Sequence, residues 1–470
     1  MLSRPTWGWC TCGTVSRKTP TMELSLINNA IAKATGVRHL NPMQVAAVSS
    51  RRNRIVLLSP TGSGKTLAYV GSLLARLTEK ELAEPVLRAV IIAPSRELVR
   101  QIYDVVRAVS VRFSAKTLAL YGGNSFNAEE SSLLGEMPSI IVATPGRLLD
   151  HIGRGTLDVG SVGLLVLDEY DKILELGFRD EMSRISARIG SRLPGRTLDF
   201  VMVTSATRLA EVPGFVDIDK AEIIDFTTDG TSDRLSVIEA KSATADKLEA
   251  LAALIRQTAS DGPVIVFVNH RESAERVGNY LSKQKISTVV YHGGLDQQKR
   301  EMALARFDSR AAAVMVCTDL GGRGIDIDNV AAVIHYHPAP DKDVYTHRNG
   351  RTARIDRTGA VYLLTGPDEY PPEFADVERE IYPDITLDAP VMAEKTLVYI
   401  NRGKRDKISR GDILGFLGKQ AGVPGDAVGK ITLGLSYSLV AVDPAYSRRV
   451  IDASKTAKLK NTRIVASLVS

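Results

Sequence analysis

The sequence predicts an α/β protein: two parallel-sheet units in tandem, followed by a smaller α+β unit. Three observations carry that expectation. Between about Met22 and Ile381 short apolar runs alternate with amphipathic stretches, the pattern of buried parallel strands under covering helices. A polar Gly/Ser/Thr-rich joint, TTDGTSDRLSV, divides that stretch, and an acidic, proline-stiffened joint containing YPPEF and YPDITLDAP closes it. Beyond Lys395 the order changes to strand, helix, strand, strand, helix, strand.

A chain of 470 residues has room for two to four domains at roughly 100–200 residues each, all large enough to bury a core. Its three cysteines exclude a disulfide scaffold. No apolar run reaches the roughly 18 residues of a spanning helix. A soluble, cytoplasmic monomer with no membrane association is expected. Residues 1–20, MLSRPTWGWCTCGTVSRKTP, show no period and lack the apolar region and cleavage site of a secretory signal. They read as a disordered extension, and Cys10 and Cys12 form one CxC without a second pair for zinc.

Residues 21–227 form the first expected domain. Its strands are RIVLL, AVIIAP, SIIVATP and LLVLDE, and AYVGSLLARLTEKEL suits one covering helix. Residues 240–385 form the second, with PVIVFVN, AAVMVCTD and AAVIHYH as strands and SAERVGNYLSKQ as a helix. Residues 394–470 form the third. Its expected elements are strand Thr396–Ile400, helix Arg410–Gln420, strands Gly429–Leu433 and Ser438–Val442, helix Ala445–Ala457 and strand Thr462–Leu468. That βαββαβ order is the split ferredoxin-like arrangement of RRM domains.

Charge is unevenly spread. The chain holds 60 Lys/Arg and 54 Asp/Glu, a net +6, yet residues 394–470 alone hold 14 basic and 6 acidic side chains. A slightly acidic body with a basic appendage fits attachment to a polyanion.

The chemistry begins at Ser59-Pro60-Thr61-Gly62-Ser63-Gly64-Lys65-Thr66, which lies between RIVLL and a helical run. Strand, glycine-rich loop and helix in that order cradle phosphate with backbone N–H groups and the helix N-terminus. Lys65 is placed to reach the β- and γ-phosphates, and the Thr66 hydroxyl to ligate Mg²⁺. A second acidic element must complete the metal site. LLVL ends in Asp168-Glu169 at the carboxyl end of a central strand, where α/β sheets place ligands. Asp168 is the expected Mg²⁺ carboxylate, directly or through water, and Glu169 the base that positions the attacking water. ATP and Mg²⁺ are therefore the expected cofactors. The seven histidines include no HExxH, and no GxSxG occurs, so zinc hydrolysis and acyl transfer lack candidates.

With these motifs in hand, residues 36–365 resemble a DEAD-box RNA helicase. The resemblance implies two RecA-like domains forming a P-loop helicase core, with the box reading Asp168-Glu169-Tyr170-Asp171. Tyr170 stands where the family has a small Ala, and is expected near the inter-domain cleft, where a ring would alter coupling or turnover. The resemblance makes Asp171 a link to Ser205-Ala206-Thr207, adds Arg348 to the coupling set and has Gln44, in Asn41-Pro42-Met43-Gln44, read the adenine. It assigns RNA contact to Arg96 of Pro94-Ser95-Arg96-Glu97-Leu98, to Gly123, to Thr144 and Arg147 of Thr144-Pro145-Gly146-Arg147, and to Gln297, Thr318 and Gly321. Asp326 would face the nucleotide sugar. In His347-Arg348-Asn349-Gly350-Arg351-Thr352-Ala353-Arg354 the arginines recur every three residues, which on a helix puts them on one face. By family precedent Arg351 and Arg354 stabilise charge on the γ-phosphate when the lobes close.

The tail resembles the DbpA-type RNA-binding domain of bacterial rRNA helicases, especially in KISRGDILGFL and VGKI. That implies recognition of a structured large-subunit (23S) rRNA hairpin beside the helicase core, with Arg402, Lys404, Arg405 and Lys407 as candidate contacts. Leu439 stands where an aromatic is common on the third strand, leaving Tyr399 and Tyr437 as stacking candidates. The expected activity is RNA-dependent ATP hydrolysis with local unwinding of short RNA duplexes in ribosome assembly. Two rivals stay open: an ATP-binding assembly factor that does not unwind, and a DNA helicase or translocase.

Overall fold

The computed structural model describes residues 22–60, 62–207, 213–227, 235–319, 330–352, 359–460 and 462–469. The chain divides into two compact units between Phe226 and Thr227. In the first unit the apolar runs become β1 (Arg54–Leu58), β2 (Ala89–Ile92), β3 (Thr117–Leu120), β4 (Ile140–Ala143), β5 (Leu164–Leu167), β6 (Phe200–Ser205) and β7 (Glu222–Asp225). All pair in parallel, in the order β3-β4-β2-β5-β6-β1-β7. Alternate residues of the central strands feed two separate cores. Ile55, Ile91, Val142, Val166 and Met202 meet Ile27, Val48, Leu73 and Val99 of the helices on one face. Val90, Ile141, Leu165 and Val203 meet Leu148, Ile173, Met182 and Ile185 on the other. Helices on both faces explain why these strands read as unbroken apolar runs.

The single helix expected over AYVGSLLARLTEKEL is two: Lys65–Leu74 and Glu79–Ala83. Thr78 and Glu81 form a reciprocal capping box that starts the second. Between them Arg76 turns inward, donating to the carbonyls of Ser50, Arg52 and Ser72 and lying 3.8 Å over the Phe200 ring.

The second unit holds β8 (Leu235–Lys241), β9 (Val264–Phe267), β10 (Thr288–Tyr291), β11 (Val314–Cys317), β12 (Ala332–His335), β13 (Gly359–Thr365) and β14 (Arg379–Ile381). These too are parallel, in the order β10-β11-β9-β12-β13-β8-β14. Counted from its own first strand, the second sheet has the same order as the first.

The tail adds β15 (Thr396–Ile400), β16 (Val428–Leu433), β17 (Ser438–Val442), a two-residue pair β18 (Lys458–Leu459) and β19 (Thr462–Arg463), and β20 (Ala466–Leu468). Its antiparallel sheet runs β16-β17-β15-β20, with helices Arg410–Lys419 and Pro444–Ser454 in their expected places. The last expected strand, Thr462–Leu468, is divided. Thr462 and Arg463 turn back onto β18 through Lys460, whose φ of 46° makes the bend, so only Ala466–Leu468 reaches β15.

The tail sheet has two different faces. Val398, Ile400, Val440 and Val442 point at its own helices. Leu397, Leu439 and Ala441, the alternate residues, pack instead with Ala311 and with Met302 and Ala305 of helix Gln297–Asp308 in the preceding sheet domain. Tyr399 and Tyr437 stack on each other at 5.6 Å on this covered side, and the Tyr437 hydroxyl donates to Glu301. Lys430 pairs with Asp308, and Lys395 N–H donates to the Arg310 carbonyl. The aromatics expected as a base-stacking platform thus serve packing within the unit.

Among the described residues no helix is long and apolar enough to cross a membrane.

Candidate functional site

The phosphate loop leaves the carboxyl end of β1. Gly62 and Gly64 both take left-handed backbone, with φ of 79° and 87°, and Gly64 starts helix Lys65–Leu74. A Cβ on Gly64 would lie 2.4 Å from Gln44 Nε2, so only glycine fits between loop and glutamine. Ser59 N–H donates to the Ser205 carbonyl, tying the loop to β6. Lys65 is buried and folds back, its Nζ donating to the Ser59 carbonyl at 2.6 Å. Gln44 sits beside the loop as expected, but its amide is engaged within the protein. Oε1 accepts from Asn41 N–H in a capping box and Nε2 donates to the Gly64 carbonyl at 3.0 Å. Each end of that amide keeps one further bonding position.

Asp168 follows the fully buried β5 and is itself buried. A carboxylate withdrawn from water needs donors, and three converge on it. Tyr69 hydroxyl donates to Oδ2 at 3.0 Å, while Thr204 hydroxyl (2.5 Å) and Glu169 N–H (3.1 Å) donate to Oδ1. Glu169 N–H is shared with Thr204 Oγ1 at 3.3 Å. This pinning holds Glu169 at φ 47°, ψ 53°, a left-handed conformation unusual for a residue with a Cβ. Burial, then the Asp168 charge, push the Tyr69 phenol well above its ordinary value, so it remains a donor. Asp171 is raised chiefly by burial, against the opposing charge of Lys172, whose Nζ lies 3.8 Å from its carboxylate and 2.7 Å from Glu175. Ser205 and Thr207 close a local turn, Ser205 Oγ accepting from Thr207 N–H and donating to its carbonyl. Neither Tyr69 nor Thr204 stands out in the sequence. Both sit in apolar runs, and the only hint is a hydroxyl one helical turn after Lys65 and another at the end of β6.

Tyr170 departs from expectation. Its side chain is fully buried in the core of the first sheet domain beside Ile173 and Leu167, with burial pushing its hydroxyl up to about 12. That hydroxyl has no hydrogen-bond partner among the described residues. The ring is core filling, because the turn at Glu169 directs the next side chain back over the sheet.

Four expected RNA contacts gather at the carboxyl ends of β2, β3 and β4. Arg96 begins helix Arg96–Ser110, capped by Ser95, and its guanidinium lies across Gly122 and Gly123. A Cβ on either glycine would meet it at 3.0–3.2 Å, and Gly123 has φ 98°. Thr144 stands at the N-terminus of helix Pro145–Gly153. Arg147 turns into its own domain, donating to Glu129 at 2.7 Å and to the Asn124 carbonyl at 2.9 Å. Glu129 also meets His151 at 3.1 Å, and Phe126 stacks on that imidazole at 4.3 Å.

In the second sheet domain Arg348 and Arg351 do not share one helix. Helix Lys342–Asn349, capped by Asp341, ends before Arg351. Arg348 points inward and is almost wholly buried. It donates to both oxygens of Asp319 at 2.7 Å, to Asn269 Oδ1 at 2.8 Å and to the His337 carbonyl at 2.9 Å. Burial, reinforced by Arg348, pushes His335 down to about 3; burial, reinforced by Lys247, pushes His337 down to about 4. Arg351 is buried one turn beyond, its N–H on the Arg348 carbonyl. Thr318 closes β11 and is buried, and Gln297 opens helix Gln297–Asp308, bonded to Arg300 and Glu301. In the tail Lys404, Arg405 and Lys407 are exposed, while Arg402 is half-buried, 3.8 Å from Asp406. Gly403 holds this ridge down: a Cβ there would lie 2.5 Å from the Gly434 carbonyl. Thr61, Gly321, Asp326, Arg354 and residues 1–20 lie outside the described residues.

The donors present suit a cation carried in with phosphate. Among the described residues no three His, Cys, Asp or Glu side chains cluster into a metal cage. One carboxylate, Asp168, and one hydroxyl, Thr66 on the helix that also carries Tyr69, are what Mg²⁺ needs when phosphates and water complete its shell.

Comparison with known proteins agrees with this geometry. The DEAD/DEAH box helicase family profile matches residues 41–212, the helicase conserved C-terminal domain 246–356, and the DbpA RNA binding domain 398–468. The chain is 31% identical over 441 residues to the ATP-dependent RNA helicase DbpA of Escherichia coli (strain K12), covering 90% of this chain and 93% of that one. It is 30% identical to the ATP-dependent RNA helicase DDX42 of Gallus gallus, covering 66% of this chain but only 33% of that longer protein. Among solved structures, the DEAD-box helicase Mss116 bound to ssRNA and UDP-BeF matches with a TM-score of 0.65 at 26% identity, over 76% of this chain and 78% of that one. S. cerevisiae Dbp5 bound to RNA and ADP BeF3 shares the fold, with a TM-score of 0.63 at 23% identity over 76% and 94%. Two RecA-like domains, a DbpA-type tail and a relative matched over nearly its whole length lead to one conclusion: the chain belongs to the DEAD-box family of ATP-dependent RNA helicases.

Proposed function

We propose that this helicase separates short RNA duplexes locally, beside a structured 23S rRNA segment gripped by its C-terminal domain, during ribosome assembly in the cytoplasm. The three domains are taken as residues 21–227, 240–385 and 394–470. The observation that carries the reading is the exposed ridge of Lys404, Arg405 and Lys407 on a domain of the DbpA type, attached to a helicase core. Cations on such a ridge hold phosphate and give an address; the core supplies the work.

Within the core, the loop Ser59–Thr66 and Lys65 bind the phosphates, and Gln44 meets the purine. Thr66 and Asp168 would hold magnesium, which supplies charge neutralisation at the β- and γ-phosphates when nucleotide is bound. Glu169 orients a water and accepts its proton. Arg351 and Arg354 stabilise negative charge developing on the γ-phosphate, and Asp326 faces the sugar. Arg96, Gly123, Thr144, Gln297, Thr318 and Gly321 bear on the RNA backbone. Asp171, Ser205, Thr207 and Arg348 transmit nucleotide state to these contacts.

The test measures ATP turnover with no RNA, with a generic single strand, with 23S rRNA and with 23S rRNA lacking its candidate hairpin. Strong stimulation that disappears with the hairpin supports the reading. Equal stimulation by every RNA overturns the address, and ATP binding without turnover or unwinding overturns the enzymatic cycle.

A further inference from the structure

Two buried hydroxyls meet one buried carboxylate at the centre of the first domain. Tyr69 and Thr204 are each fully shielded from solvent, come from different elements, and aim at different oxygens of Asp168. Phenylalanine and valine would fill the same volumes in this apolar setting, so the shapes alone do not require the oxygens. Thr66 lies three residues before Tyr69 on helix Lys65–Leu74, so the two side chains share a face. Tyr69 therefore bonds one side chain assigned to magnesium and sits on the helical face of the other. Thr204 adds the Glu169 N–H to the same network, so carboxylate and backbone turn are fixed together.

We propose that Tyr69 and Thr204 are positioning residues for magnesium-dependent nucleotide binding, their hydroxyls fixing the Asp168 carboxylate beside Thr66. Each carboxylate oxygen offers about two lone-pair directions; Thr204 and Glu169 N–H occupy Oδ1 and Tyr69 one side of Oδ2, so the remaining direction on Oδ2 is the one aimed at the cation. Without them the carboxylate rotates, and part of the binding free energy goes into ordering it again. Loss of a hydrogen-bond partner behind a metal-binding carboxylate lowers metal affinity by about tenfold or more. The inference rests on the assignment of Thr66 and Asp168 to magnesium, and the experiment separates the two.

Fluorescent ADP binding to the 470-residue chain is measured with saturating EDTA and across a Mg²⁺ titration. The readout is the ratio of affinities with and without Mg²⁺, which a general loss of folding does not alter. For Tyr69→Phe and Thr204→Val the ratio falls by about tenfold, and Thr204→Ser restores it. An unchanged ratio in both variants overturns the proposal, whatever happens to thermal stability. Asp168→Asn is the control on the underlying assignment. If its ratio is also unchanged, the magnesium assignment itself fails; if it collapses while Tyr69→Phe and Thr204→Val match the wild type, only the positioning role fails.

Discussion

The two RecA-like domains share one strand order yet use the carboxyl edge of the sheet in opposite ways. In the first domain that edge buries an anion, Asp168, and surrounds it with hydroxyls and a backbone N–H. In the second it buries a cation, Arg348, and surrounds it with a carboxylate, an amide oxygen and a carbonyl. Asp168 is bonded by neutral donors and keeps its charge for a ligand. Arg348 is neutralised by Asp319 in a bidentate pair and holds together the ends of β9, β11 and β12. Topology supplies the place at which a charge is buried; the neighbours decide whether that charge is left to meet a ligand or is used to tie strand ends together.

This contrast breaks first if Arg348 proves dispensable for stability. Arg348→Ala removes a buried guanidinium, leaves the partly buried Asp319 carboxylate without its partner, and lowers stability by about 3 kcal/mol, read by denaturant unfolding. Asp168→Asn sharpens the other side. ATP turnover falls by about 100-fold or more, while the unfolding midpoint stays within the range of ordinary surface variants. If the two variants exchange phenotypes, the comparison is wrong.

A smaller effect comes from His335, which bonds Asn349 at 2.8 Å beside Arg348. Its folded pKa of about 3 lies below the unfolded 6.5. The unfolded chain therefore takes up the proton first, and stability is full above about pH 6.5 and lost as pH falls toward 3. At pH 5 the loss is about 2 kcal/mol from this group, and in His335→Gln it shrinks toward nothing in unfolding at pH 7 and pH 5. Smallest is Tyr170→Phe, which removes a buried hydroxyl without a described partner. Stability is unchanged or rises by about 1 kcal/mol, and ATP turnover holds, since the ring is not at the reacting edge.

Much of this was legible in the chain. RIVLL before the phosphate loop and LLVL before Asp168 announce buried parallel strands, and the residues next in the chain must emerge at the carboxyl end of the sheet. The tail's strand and helix order was equally open, because alternation and turn residues are local. The hidden features depend on partners far away in sequence. Tyr69 lies 99 residues from Asp168, and nothing in KTLAYV says that its ring edge is polar for a purpose. The three-residue spacing of the arginines suggested one helical face, but the helix ends at Asn349 and Arg348 finds Asp319 29 residues upstream. Arg147 likewise reads as a free cation until Glu129 is placed against it. The alternation in β15 and β17 showed two faces, not that Met302 and Ala305 would cover one of them.

The left-handed backbone at Glu169 sets the fold and the reaction against each other. A residue with a Cβ held at φ 47° costs about 1 kcal/mol or more relative to glycine. Glu169→Gly would relax that turn, raise the melting temperature by a few degrees and remove the group that orients the attacking water. A thermal screen of variants of this chain would therefore rank an inactive enzyme above the working one at this position, and only a parallel assay of turnover would expose the error.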